Sequence, residues 1–192
     1  MDLIETIGVA FGLVCVVLTV RQNIWCWPTG LVNVTLFMIM FYKARLYADM
    51  GLQAVYIVLS IYGWYQWLHG GPEKGELPVS QIGLKLFVNL MLIGISGTLL
   101  MGWALANYTN ADLPYWDSTT TVMSLIAQWM LAKKILENWL VWISADVLFI
   151  GIYFYKELYL TGLLYVIFLI LATSGFILWK KSFVKQLSLE PA

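Results

Sequence analysis

Charge is what this sequence has least of. Eleven basic and eleven acidic residues are spread over 192 positions, 11% of the chain. A soluble domain normally carries about a quarter of its residues charged, so this chain lacks the polar surface that water requires. The net charge is zero, which excludes the basic face of a nucleic-acid binder. Histidine occurs once, as His69 in a His-Gly-Gly-Pro loop, which leaves no basis for a metal site or for histidine-based catalysis. The two cysteines, Cys15 and Cys26, have no CxxC or Cys/His spacing and read as small buried hydrophobes. P-loop, GxSxG and HExxH patterns are absent, so neither ATP drive nor a hydrolase is indicated and no cofactor is expected. The N-terminus, MDLIE, lacks the basic flank of a signal peptide, and the first apolar run is expected to be retained.

What the chain has instead is apolar length. It is 61% hydrophobic, with a mean hydropathy of +0.79. Its charges cluster between long apolar runs, as a bilayer demands of groups that hydrocarbon excludes. A span needs roughly 17–25 mostly apolar residues. Seven segments qualify: 4–20, 25–42, 46–68, 82–105, 118–135, 138–155 and 158–179. The reading is an all-α integral membrane protein forming one membrane domain over 1–192. Asp117 or Ser118 reads as the cap of the fifth span. The longer loops, 69–81 and 106–117, flank the fourth span and isolate it as a linker between three-helix groups over 4–68 and 118–179.

Orientation follows from lysine and arginine. One side carries Arg21, Lys74, Lys85, Lys133, Lys134, Lys180, Lys181 and Lys185; the other carries Lys43, Arg45 and Lys156. The eight-charge side is expected in the cytoplasm, with the N-terminus outside. Trp25, Trp27, Trp64, Trp67, Trp103, Trp116, Trp139 and Trp179 fall near span ends and read as an interfacial belt.

The two groups echo each other. At an offset of 113, Asn33-Val34 meets Asp146-Val147 and Phe41-Tyr42-Lys43 meets Phe154-Tyr155-Lys156. At 112, Leu46-Tyr47 meets Leu158-Tyr159, Gly63 meets Gly175, Trp67 meets Trp179, Glu5 meets Asp117 and Arg21 meets Lys133. An odd linker restores direction, so two parallel repeats are expected, with a solute site between them near mid-depth.

Asp146 falls near the centre of the sixth span. A carboxylate there costs about 2.5–3.5 kcal/mol on insertion scales and marks a functional site by default; the alternative is a structural partner for a group such as Asn33. Asn33, Gln53 and Gln128 also fall at depth on other spans. Each amide alone serves equally well as glue between helices, and their joint presence favours a shared polar cavity. Trp139, Trp142 and Asp146 stand at i, i+3 and i+7, on one helix face. Two indoles and a carboxylate suit a flat, hydroxylated or cationic aromatic solute.

The segment Glu137–Asp146, with Trp139-x-x-Trp142-x-x-x-Asp146, resembles the WxxWxxx(N/D) signature of the Pnu family of bacterial vitamin transporters. Gly30-Leu31-Val32-Asn33-Val34, Tyr62-Gly63-Trp64-Tyr65-Gln66-Trp67 and Tyr115-Trp116-Asp117-Ser118 are similar to that family too, and the likeness covers nearly the whole chain. The resemblance implies a seven-helix, SWEET-like plan of two three-helix repeats in the bacterial inner membrane. It implies facilitated diffusion of a vitamin, with the solute trapped inside by a cytoplasmic kinase. Nicotinamide riboside is the preferred substrate and thiamine the alternative; both carry a positive aromatic ring, so Asp146 does not separate them. Membrane lipid is the other expected partner, and a homo-oligomer is one assembly open to such a chain. The rival from another class is a membrane-embedded enzyme using Asp146 as acid or base. It lacks a second titratable group at depth.

Overall fold

The computed structural model describes residues 3–188. They form seven long α-helices: α1 (Leu3–Val20), α2 (Cys26–Lys43), α3 (Tyr47–His69), α4 (Leu84–Tyr108), α5 (Pro114–Ala132), α6 (Asn138–Tyr155) and α7 (Tyr159–Leu187). Four of them, α1, α4, α6 and α7, are long and apolar enough to cross a bilayer by composition alone. The other three carry more polar residues, among them Asn33 on α2, Gln53 on α3 and Gln128 on α5.

The two largest shifts from the expected boundaries are at the start of the fifth span and the end of the seventh. The fifth span starts at Pro114 rather than Ser118, because proline suits the first helical turn, where its missing N–H costs nothing. Asp117 and Ser118 therefore lie inside the helix and do not cap it; the Ser118 hydroxyl donates to the Pro114 carbonyl at 2.7 Å. The seventh span runs two turns past Trp179, to Leu187. Residues 180–187 contain neither glycine nor proline, so nothing stops the helix at the membrane boundary.

The helices close into a ring. Consecutive helices pack within each group, α1 on α2 on α3 and α5 on α6 on α7, while α7 meets α1 and α3 meets α5. The linker α4 packs on α5 outside that ring, and its apolar window has no buried residue. α2 and α6 stand on opposite sides of the ring.

The turns repeat at an offset of 112. α2 and α6 have 18 residues each. Gln22 and Lys134 both adopt left-handed backbone, φ 55° and 54°, as do Arg45 and Glu157, φ 59° and 58°. Gln22 N–H bonds the Thr19 carbonyl and Asn23 N–H the Leu18 carbonyl; Lys134 to Leu131 and Ile135 to Met130 are the same pair of bonds 112 residues on. This is the Schellman ending of a helix, with non-glycine residues at the left-handed position. The offset of 113 for Asn33 and Asp146 is corrected by this geometry. One offset holds from turn to turn across α2 and α6, so Asn33 corresponds to Ala145, and Asp146 to Val34. A one-residue slip turns a side chain by about 100° around the helix.

Candidate functional site

One end of the ring, the lysine-rich one, is closed by indoles: Trp27, Trp67, Trp139 and Trp179, expected in an interfacial belt, are buried in a cluster instead. Trp27 and Trp67 meet edge to face at 5.4 Å and 89°; Trp139 and Trp179 meet at the same distance and angle. Trp67 and Trp179 join the two pairs at 5.8 Å. A Cβ on Gly63 would overlap the Trp27 ring, and one on Gly175 the Trp139 ring, so glycine is what lets each indole pack against the next helix of its own group. Trp67 Nε1 donates to the Leu131 carbonyl and Trp179 Nε1 to the Thr19 carbonyl, each at 3.1 Å. The indole nitrogens of Trp27 and Trp139 are buried without a hydrogen-bond partner.

The loop after α3 is strapped over this end. Leu77 N–H bonds the Trp67 carbonyl, Ser80 N–H the Lys134 carbonyl, and Leu136 N–H the Ser80 carbonyl. Ile82 N–H donates to Glu137 Oε2 at 3.0 Å, and Val79 is buried. Lys134, in the turn between α5 and α6, lies 4.7 Å above the Trp67 ring. Burial lowers its pKa, and the neighbouring Glu76 and Cys26 act to raise it again.

Asp146 is 4% exposed and, among the described residues, has no hydrogen-bond or ion-pair partner. Its surroundings are aromatic. Phe149 and Tyr153, one and two turns along α6, share its face. Tyr165 of α7 stacks at 4.5 Å from Phe149 and 5.2 Å from Tyr153, and Phe168 meets Tyr165 edge-on at 5.7 Å. Tyr165 lies within electrostatic reach of both Asp146 and Tyr56, and Tyr56 of α3 faces Ser124 of α5. A bare carboxylate on a helix face shared with aromatic rings is an arrangement that attracts an organic cation. The surface depressions at 176–188 and around Lys156 lie elsewhere.

The residues singled out in the sequence separate into groups. Asp146 and half-buried Trp142 occupy one face of α6, while Trp139 is locked into the indole cluster. Asn33 donates its amide to the Gly8 carbonyl of α1 at 2.7 Å, so it ties two helices of its own group together. Gln53 and Gln128 are half-buried and, among the described residues, without a hydrogen bond. Sequence reasoning missed Phe149, Tyr153, Tyr165 and Tyr56. Phe149 and Tyr153 carried a usable signal, at i+3 and i+7 from Asp146; Tyr165 and Tyr56 reach the site only through the packing of α7 and α3.

The chain is similar to known proteins. The chain is 30% identical over 205 residues to the nicotinamide riboside transporter PnuC of Escherichia coli (strain K12), covering 93% of this chain and 85% of that one. It is 25% identical over 167 residues to the riboflavin/roseoflavin transporter RibM of Streptomyces davaonensis, covering 85% and 78%. The crystal structure of the vitamin B3 transporter PnuC superposes with a TM-score of 0.73 at 23% identity, over 95% of this chain and 82% of that one. Residues 2–181 match the family described as nicotinamide mononucleotide transporter. On that match and on the E. coli relative, this multi-pass membrane protein belongs to the nicotinamide mononucleotide transporter family.

Proposed function

We propose that the chain carries nicotinamide riboside across the bacterial inner membrane by facilitated diffusion. The carrying observation is Asp146, a buried carboxylate with no partner among the described residues, on a helix face that continues into the aromatic cluster of Phe149, Tyr153 and Tyr165. The pyridinium of nicotinamide riboside is flat and positive, and such a ring supplies the charge that Asp146 lacks. Several relatives are named as transporters of that solute, which supports it over thiamine, the alternative cationic vitamin.

The site also bears on the mononucleotide in the family's description. A phosphomonoester adds about −1.5 to −2 charge at pH 7. Placed beside Asp146 it would meet repulsion rather than a partner. The riboside is the better fit.

In this reading the two three-helix groups are parallel repeats with the solute between them. The N-terminus lies outside and the lysine-rich end faces the cytoplasm, where phosphorylation by a kinase traps the solute. The indole cluster and strap then close the inner side, and release inward requires Trp67 and Trp179 to give up their bonds. Trp139, Trp142 and Asp146 line the inner part of the path; Asn33, Gln53 and Gln128 complete a polar lining as helices shift.

The test is uptake of labelled nicotinamide riboside by purified protein in liposomes with no energy source. Equilibration of chemically unchanged solute to the external concentration supports the reading. Accumulation above that level under an imposed pH difference sinks the facilitator, and appearance of a covalent product would point to an enzyme. Thiamine and riboflavin as competitors rank the substrates.

A further inference from the structure

The last two turns of α7 form a feature that the transport path does not use. At about 1.5 Å per residue, the 29 residues of α7 span about 43 Å. The hydrocarbon core is about 30 Å thick and takes up roughly 20 residues. Counted from Tyr159, that length ends near Leu178, so the helix beyond it stands at headgroup depth.

Three of the protein's eleven basic residues sit on that stretch: Lys180, Lys181 and Lys185. Together with Ser188 they line a surface depression whose other walls are Phe176, Ile177 and Val184. The opposite face of α7, with Ala172, Gly175 and Trp179, is buried in the ring; Ile177 and Val184 are 48% and 57% exposed. No acidic residue occurs from 158 to 188. Among the described residues none of the three lysines has an ion-pair partner; the Lys180 ammonium lies 6.0 Å above the Phe176 ring. Among the described residues their charge is left unneutralised.

We propose that this depression binds the headgroup of an anionic phospholipid. The lysines and the Ser188 hydroxyl match a phosphate group. The apolar walls match the first carbons of an acyl chain, and they distinguish a lipid from free phosphate, which has no use for Ile177 or Val184. Basic pockets at this depth attract anionic lipid headgroups, and each lysine near the surface adds to the attraction.

The experiment uses the full chain in detergent, with retained lipid counted by native mass spectrometry. Phosphatidylglycerol and phosphatidylcholine of the same acyl composition are supplied together. The expected result is preferential retention of phosphatidylglycerol, lowered about tenfold or more in the triple variant Lys180→Gln, Lys181→Gln, Lys185→Gln and restored by three arginines. The pair Lys43→Gln, Arg45→Gln at the other membrane face leaves it unchanged. If the triple variant does not fold, Lys181→Gln and Lys185→Gln are measured singly, each expected to lower retention. Equal retention of the two lipids, or equal loss from the Lys43 and Arg45 pair, overturns the proposal. Displacement of the lipid by millimolar inorganic phosphate also overturns it, in favour of a simple anion site.

Discussion

Trp67 and Trp179 each donate an indole N–H across the ring, to carbonyls that are themselves 112 residues apart, Leu131 and Thr19. The bonds are equal in length and the donors are both buried. Each three-helix group thus holds the other by the same grip. Each carbonyl also accepts a turn N–H, from Lys134 and Gln22, so removing one indole donor costs about the net worth of a single hydrogen bond, roughly 0.5–1.5 kcal/mol. Trp67→Phe and Trp179→Phe should lower the apparent melting temperature in detergent by similar amounts. A fall confined to one of them would show that the two bonds are not equivalent.

Gly63 and Gly175 make room for Trp27 and Trp139. Alanine at either position forces the facing indole to move, and overpacking of this kind typically costs about 1–3 kcal/mol. Gly51 and Gly151 have open space where a Cβ would go, so alanine there should be neutral or favourable, by up to about 1 kcal/mol. Thermal melts of the four single variants check the contrast. Equal behaviour of the two pairs would remove the close approach as a cause.

Asp146→Asn should bind nicotinamide riboside more weakly, and Asp146→Ala more weakly still, because the amide keeps one acceptor and alanine keeps none. At an effective dielectric near 20, two charges about 4 Å apart attract by roughly 4 kcal/mol before desolvation is subtracted. Asn33→Asp should not rescue Asp146→Asn. Asn33 is tied to Gly8, and a carboxylate there loses that donor and destabilises the α1–α2 contact. Calorimetry on the folded variants gives the answer; unchanged affinity in Asp146→Ala would make the carboxylate structural.

Trp142→Ala should cost about tenfold in solute affinity, the worth of roughly 1–2 kcal/mol of desolvated ring contact. Trp25→Ala should cost little, since Trp25 is 64% exposed. Phe149→Ala, from the aromatic wall, should resemble Trp142→Ala. Equal small effects at all three would return Trp142 to an interfacial role.

A reporter fused after Ala192 should behave as cytoplasmic. The positive side of the chain gathers eight of its eleven basic residues, and that bias orients short-looped membrane proteins. Activity of an alkaline phosphatase fusion, which folds only outside the inner membrane, would reverse the assignment.

The spans, the isolated fourth helix and the lone carboxylate were readable because they are local: runs of apolar residues, a gap in them, one acid inside them. The register was harder. Phe41-Tyr42-Lys43 and Phe154-Tyr155-Lys156 are identical triplets 113 apart, and they pulled the match one residue away from the turns, whose hydrogen bonds keep 112. Identity at exposed helix ends, such as Tyr42 and Tyr155, says less about register than a turn does. The bond that Asn33 makes was hidden for another reason. Its partner is a backbone carbonyl on a different helix, and a carbonyl leaves no mark in a sequence. Tyr165 lies 19 positions beyond Asp146 and meets it only because α7 folds back along α6. The end of α7 was set too early because hydropathy stops at the membrane while helix propensity does not.

The ring closes through two seams, α1 with α7 and α3 with α5, and α4 stands outside both. Topologically the molecule is a dimer of half-chains that share one covalent tether. A tether raises the local concentration of the parts it joins without dictating how they dock. Docking is dictated here by the seams and the reciprocal indole bonds. A break at residues 109–113, before α5, leaves every one of those contacts intact. The two pieces, α1 to α4 and α5 to α7, thus carry between them every contact that closes the ring.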